Sequence, residues 1–162
     1  SPVGIMLTGC GPKTATKKAL DSDNEELICS NSSFAPAEIR VLGSVESAHG
    51  DPKLVTGMIN AAKISGGFVR YDSQAKYAVI AMGQGEIYLR PRSKPDYREN
   101  IWDHVAGVAV CESAGAIVTD IDGKDLDFSH GAKLVKNRGI LATANEEVHK
   151  LALEGINYTE SL

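Results

Sequence analysis

Apolar positions along this chain alternate between two spacings. Short runs with strand character occur at residues 3–8, 39–42, 68–71, 86–90, 116–119 and 140–143. Helical spacing fills most of the intervals. Asp51-Pro52 supplies a capping residue and a proline at the first helical position, and Leu54, Val55, Met58, Ile59 and Ala62 then share one face until Gly66-Gly67. Asp72-Ser73 opens a second helix that buries Ala75, Ala78, Val79 and Met82 and ends at Gly83 and Gly85. A third starts at Trp102-Asp103 with an acidic residue in its first turn, runs through small and apolar residues, and stops at Gly115. Asn145 caps a last helix extending through Leu153.

Three polar stretches interrupt this pattern. Residues 17–36 are turn-rich, carry Asp21, Asp23, Glu25 and Glu26, and read as a solvated loop. Residues 90–99 form a charged, proline-containing loop. Asp120-Ile121-Asp122-Gly123-Lys124-Asp125 has the look of a calcium loop, but it lacks the closing glutamate and its glycine is misplaced, so a turn between strands is the better reading. Gly9-Cys10-Gly11-Pro12-Lys13-Thr14 suggests a phosphate loop only superficially, because Pro12 stands where glycine is required. Strands alternating with helices predict an α/β fold: a layered sandwich with a largely parallel sheet flanked by helices.

At 162 residues, the chain reads as a single domain, 1–162, large enough for a real core. A net charge of −4 argues against binding a nucleic acid polymer but leaves room for a local basic pocket. No apolar run approaches the roughly 20 residues of a membrane span. No signal peptide is visible, and the cysteines Cys10, Cys29 and Cys111 lack paired spacing, which suits reduced thiols in a cytoplasmic protein. Without an initiator methionine, the chain reads as starting inside a longer protein.

Several ordered stretches resemble a known family. Ile101-Trp102-Asp103-His104-Val105-Ala106-Gly107 is similar to the Trp-Asp-x-Ala-Ala-Gly signature of the lithium-sensitive, magnesium-dependent phosphatases related to inositol monophosphatase. Tyr71-Asp72-Ser73-Gln74-Ala75-Lys76-Tyr77, Ile87-Tyr88-Leu89-Arg90, Glu112-Ser113-Ala114-Gly115 and Leu126-Asp127-Phe128 extend the match, and within the superfamily they most resemble the 3'(2'),5'-bisphosphate nucleotidases.

The resemblance implies an inositol monophosphatase-like carboxy-terminal domain that binds Mg2+ through Asp103 and an adenosine bisphosphate through His49, Ser73, Lys76 and Arg90. Taken alone, Asp103 would be a helix cap, Lys76 a solvated lysine and His49 a loop residue. The chemistry is nevertheless coherent, since magnesium takes one or two carboxylates and completes its shell with phosphate oxygens. The fork of Arg90 also suits a phosphate. Ser73 near a helix start could offer backbone N–H groups, with Lys76 one turn on and on the same side. His104, His130 and His149 show no ligand spacing and read as structural or exposed.

The family's other metal ligands and its Asp-Pro-x-Asp-Gly-Thr motif do not occur in the chain. Asp103 alone cannot build a two-metal site. Three readings follow. The chain is the nucleotide-recognition half of a phosphatase that converts 3'-phosphoadenosine 5'-phosphate to AMP and phosphate, lacking its amino-terminal domain and inactive alone. Or it is a non-catalytic fragment that binds nucleotide or pairs with a partner. Or it is half of an inositol phosphate phosphatase. In each case an apolar face belonging against the absent domain would be exposed, and association is expected.

Overall fold

The computed structural model describes residues 4–32, 35–46 and 50–162. The chain runs β1 (Ile5–Thr8), β2 (Thr16–Ala19), β3 (Glu26–Leu27), β4 (Val41–Ser44), α1 (Pro52–Ala61), β5 (Phe68–Tyr71), α2 (Ala75–Ala81), β6 (Ile87–Arg90), a 3-10 turn (Ile101–Asp103), α3 (Val105–Ser113), β7 (Ile117–Thr119), β8 (Ile140–Thr143) and α4 (Glu146–Glu160).

Five strands form the central sheet in the order β5-β4-β6-β8-β7. β4 pairs parallel with both β5 and β6, while β8 runs antiparallel to both β6 and β7. The sheet is therefore mixed, and the expected largely parallel sheet is corrected. The cause lies in the connections. Parallel neighbours need a crossover, which α1 and α2 provide. β7 and β8 are joined by the polar segment 120–139, which contains no helix or strand.

Strand alternation feeds two cores. Leu42, Tyr88, Ile140 and Ala142 face α2 and α3, meeting Tyr77, Ile80, Val108 and Cys111. Val41, Ile87, Leu89 and Leu141 face the other way, toward Leu54 and Met58 of α1 and Val148, Ala152 and Ile156 of α4. Successive side chains on a strand point to opposite faces, which produces this division. Since α1 lies on one face and α2 on the other, the chain reverses its winding at β4. In open α/β sheets, ligands bind outside the carboxyl ends of strands at such a switch point. Here those ends are Ser44, Tyr71 and Arg90.

Residues 17–36 are not simply a loop. β1, β2 and β3 make a small antiparallel sheet, Ile5 pairing with Ala19 and Thr16 with Leu27. It attaches to the end of α3, where Gly11 N–H donates to Ser113 Oγ at 3.3 Å and Ser30 N–H to the Ala114 carbonyl at 2.9 Å. Several helix limits also shift. Asp51 caps α1 as its sequence requires, accepting from Lys53 N–H at 2.9 Å. The helix ends before Lys63, whose φ of +53° breaks it ahead of the glycine pair. α4 continues past Leu153 to Glu160. α2 buries Lys76, Tyr77, Val79, Ile80 and Ala81 and leaves Ala75 exposed, so the expected face is rotated.

Candidate functional site

A cavity of about 310 Å³ opens at the carboxyl ends of β4, β5 and β6. Ser73, Lys76, Arg90 and Asp103 all line it, together with Ser44, Asp72, Gln74, Tyr88, Tyr97 and His104. Four of the five residues singled out in the sequence thus meet in one place. The fifth, His49, lies outside the described residues. Its neighbours Glu46 and Gly50 line a second cavity of about 280 Å³, with walls of Val55, Ile59, Phe68 and Leu89. Ser44 borders both.

Lys76 is only 2% exposed. Its ammonium donates to the carbonyl oxygens of Ser73 at 2.7 Å and Tyr71 at 3.1 Å, and it stands 5.1 Å from the centre of the Tyr88 ring. Burial lowers the Lys76 pKa and the nearby Arg90 charge lowers it further, with Asp72 opposing them. A buried cation bonded to carbonyls rather than to a carboxylate keeps its charge available to an incoming anion.

Ser73 has a φ of +50°, a left-handed conformation that costs a side-chain-bearing residue energy. This bend turns its carbonyl back to Lys76. Its own N–H donates to Asp72 Oδ1 at 2.7 Å and is not free for a phosphate. Ser73 precedes α2 rather than lying on it, so the two residues are joined through the Ser73 carbonyl and not through a shared helical face.

Arg90 closes β6. Its Nε donates to Glu99 Oε1 at 2.8 Å. Burial disfavours the Arg90 charge, but the hydrogen bond and negative charge of Glu99 prevail and raise its pKa above the ordinary value. For Glu99, burial pushes upward, while hydrogen bonds from His104 and Arg90 hold the carboxyl below its usual range. Glu99 Oε2 also faces His104 Nε2 at 3.1 Å, and His104 Nδ1 meets the Tyr77 hydroxyl at 2.8 Å. Neither Glu99 nor His104 stood out in the sequence as a site residue. A glutamate four positions ahead of Asp103 in a charged loop was the available signal, and it resembled solvated surface.

Asp103 lies in the 3-10 turn, ahead of α3 rather than within its first turn. It is exposed, and its Oδ2 accepts from Asn100 Nδ2 at 3.0 Å. Gln74 fastens this segment to α2, donating to the Trp102 carbonyl at 3.2 Å and accepting from Gly107 N–H at 2.8 Å. Among the described residues, no group of three or more His, Cys, Asp or Glu is placed to hold a metal ion. In the calcium-like turn, Asp120 is fully buried and accepts from the N–H groups of Asp122, Lys124 and Arg138 at 2.9, 2.9 and 3.1 Å, which gives its carboxylate a structural use.

The inositol monophosphatase family pattern matches residues 5–158. The chain belongs to the inositol monophosphatase family. Within it, a 3'(2'),5'-bisphosphate nucleotidase of Emericella nidulans is 50% identical over 96 residues, covering 59% of this chain and 26% of the relative. One from Oryza sativa is 42% identical over 144 residues, covering 87% of this chain and 39% of the relative. Family structures agree in fold. An inositol monophosphatase from Zymomonas mobilis superposes with a TM-score of 0.63 at 16% identity, covering 88% of this chain and 53% of that one. The Thermotoga maritima enzyme also gives 0.63, covering 91% and 52%. The chain thus spans about half of these solved family members and between a quarter and two fifths of the two nucleotidases. Among the described residues, no helix is long and apolar enough to cross a membrane.

Proposed function

We propose that this chain is the nucleotide-recognition part of a magnesium-dependent phosphatase that removes the 3'-phosphate of 3'-phosphoadenosine 5'-phosphate, giving AMP and phosphate. The observation that carries this reading is the buried Lys76 ammonium, bonded to two backbone carbonyls and facing a cavity that it shares with Arg90. Two cations at the carboxyl ends of the strands suit a phosphate. The adjoining cavity, with Val55, Ile59, Phe68 and Leu89 in its wall, suits a flat base. The names of the similar nucleotidases support nucleotide over inositol phosphate. In this reading Ser73, Lys76, Arg90 and His49 hold substrate, and Asp103 gives one carboxylate to a magnesium site completed by an amino-terminal domain of the parent protein.

A second reading, that the chain binds nucleotide without hydrolysing it, draws on the missing cluster of metal-ligating side chains among the described residues. Calorimetric titration with adenosine 3',5'-bisphosphate and with inositol 1-phosphate tests the ligand. Binding of the nucleotide is expected, and a clear preference for the inositol compound would overturn the assignment. Magnesium-dependent phosphate release, measured with and without an added amino-terminal half, separates the two readings. Turnover only in the mixture supports the first, and bound nucleotide without turnover in either supports the second.

A further inference from the structure

Arg90 and Lys76 share the cavity, yet only Arg90 is tied to a carboxylate, and that carboxylate lies beneath the site instead of competing for it. The Glu99 side chain is 3% exposed and His104 is 1% exposed. One Glu99 oxygen takes Arg90 Nε, and the other faces His104 Nε2 and accepts a long bond from the Tyr97 hydroxyl at 3.5 Å. His104 Nδ1 in turn meets the Tyr77 hydroxyl at 2.8 Å, so the imidazole bridges Glu99 and Tyr77. Tyr77 meets Tyr88 edge-on, 5.1 Å between ring centres at 89°, and the Tyr88 ring lies beneath Lys76.

We propose that Glu99 is a positioning residue, which acts on the bound anion through Arg90 and is itself held by His104 and Tyr77. The role rests on the nucleotide-site reading above. A guanidinium offers five N–H donors in a rigid plane. Glu99 engages Nε and so fixes the plane, and although the Tyr88 side chain is a second hydrogen-bonding neighbour, donors of the fork remain for a phosphate in the cavity that Arg90 lines. An arginine held this way loses less freedom on binding than a mobile one. A glutamine at 99 keeps the shape but presents an amide NH2 where one carboxylate oxygen stood. It therefore cannot accept from both Arg90 Nε and His104 Nε2.

The test is a double-mutant cycle on the full chain, read as affinity for adenosine 3',5'-bisphosphate and for inorganic phosphate. Glu99→Gln is expected to weaken both by roughly tenfold in the Arg90 background. It should have no further effect once Arg90→Lys has removed the fork. Additive losses would overturn the proposal, because Glu99 would then act independently of Arg90. A second measurement needs neither variant nor ligand: the Arg90 Nε–H proton, followed by NMR, should exchange with water far more slowly than that of Arg98, whose Nη1 bonds to the Pro95 and Tyr97 carbonyls and which has no carboxylate partner among the described residues. Equal exchange would also overturn it. If the unaltered chain binds neither ligand while the Nε–H is protected, the nucleotide reading fails and takes the positioning role with it. Binding with an additive cycle removes the role and leaves the site reading standing.

Discussion

The Lys76 ammonium donates to the carbonyl of Ser73, three residues earlier in its own chain, at 2.7 Å. That bond places at the mouth of α2 a positive charge bonded to carbonyls, with Asp72 close enough to act on it but not hydrogen-bonded to it. Replacing Lys76 with methionine keeps most of the buried stem and removes the charge. Loss of one charge-assisted contact is worth about 1.5–3 kcal/mol, so affinity for phosphate or adenosine bisphosphate should fall by about ten- to a hundredfold. Titration calorimetry reads the change, and unaltered affinity would remove Lys76 from the site. Because burial and Arg90 lower the Lys76 pKa, anion binding should also fade at a lower pH than an exposed lysine would allow.

The bend at Ser73 has its own cost. Its φ of +50° is open to glycine without steric penalty, whereas a β-branched residue resists it. Ser73→Gly should change stability by less than about 1 kcal/mol, and Ser73→Val should destabilise the chain by about 1–2 kcal/mol. Denaturant unfolding compares them. Equal stability of the two variants would show that the left-handed bend is not maintained.

Gly107 sits where α3 passes Tyr77. A methyl group there would lie 2.3 Å from the Tyr77 ring, which is itself pinned against Tyr88 and His104. Gly107→Ala should therefore cost about 1–3 kcal/mol through overpacking. It should also strain the Gln74 bond to the Gly107 N–H and loosen the Asp103 segment, which hydrogen exchange at residues 101–107 would report. A neutral substitution would contradict this packing.

Acid should unfold the chain in two stages. Burial lowers the His149 pKa below 6.5, so the folded state resists a proton that the unfolded state accepts. Stability is thus lost as pH falls below 6.5 toward the folded value. Glu86 and Glu99 act lower down. Burial alone would raise both, but Arg40 and Asn31 bonds at Glu86, and His104 and Arg90 bonds at Glu99, hold them below 4.5. Their stabilisation is present above the unfolded carboxylate value and disappears as pH falls through the folded one. Unfolding free energy measured from pH 8 to pH 3 should decline first below about 6.5 and more steeply below about 4.5, and His149→Gln should remove the first decline.

Local signals carried much of the fold. The Asp51-Pro52 start of α1 and the Gly115 stop after α3 followed from side-chain capping and from a φ of +89° that glycine takes without strain. Strand direction did not, because alternation encodes which face a residue takes and says nothing of whether a neighbour runs up or down. β2 and β3 were invisible for a related reason: Thr16–Ala19 is half-buried throughout and holds two lysines, and Glu26–Leu27 is too short for any period. In the site, family motifs drew attention to Ser73, Lys76, Arg90 and Asp103, and the folded chain gathers all four. Glu99 and His104 stayed hidden, since buried polar groups satisfied by partners elsewhere in the sequence look like surface residues until those partners are known.

The small β1-β2-β3 sheet has a consequence for anyone who purifies this chain. β1 and β3 are its two edges, and Ile5, Met6 and Leu27 are exposed on it, 50%, 40% and 77% respectively. Glu26 charges the β3 rim, but the β1 rim, Ile5–Thr8, carries no charge that would discourage a second chain from adding on, because Lys17 and Lys18 sit on the protected middle strand. Such a rim can recruit another backbone by templated strand addition. Concentration, more than temperature, will then govern how long the chain remains dispersed.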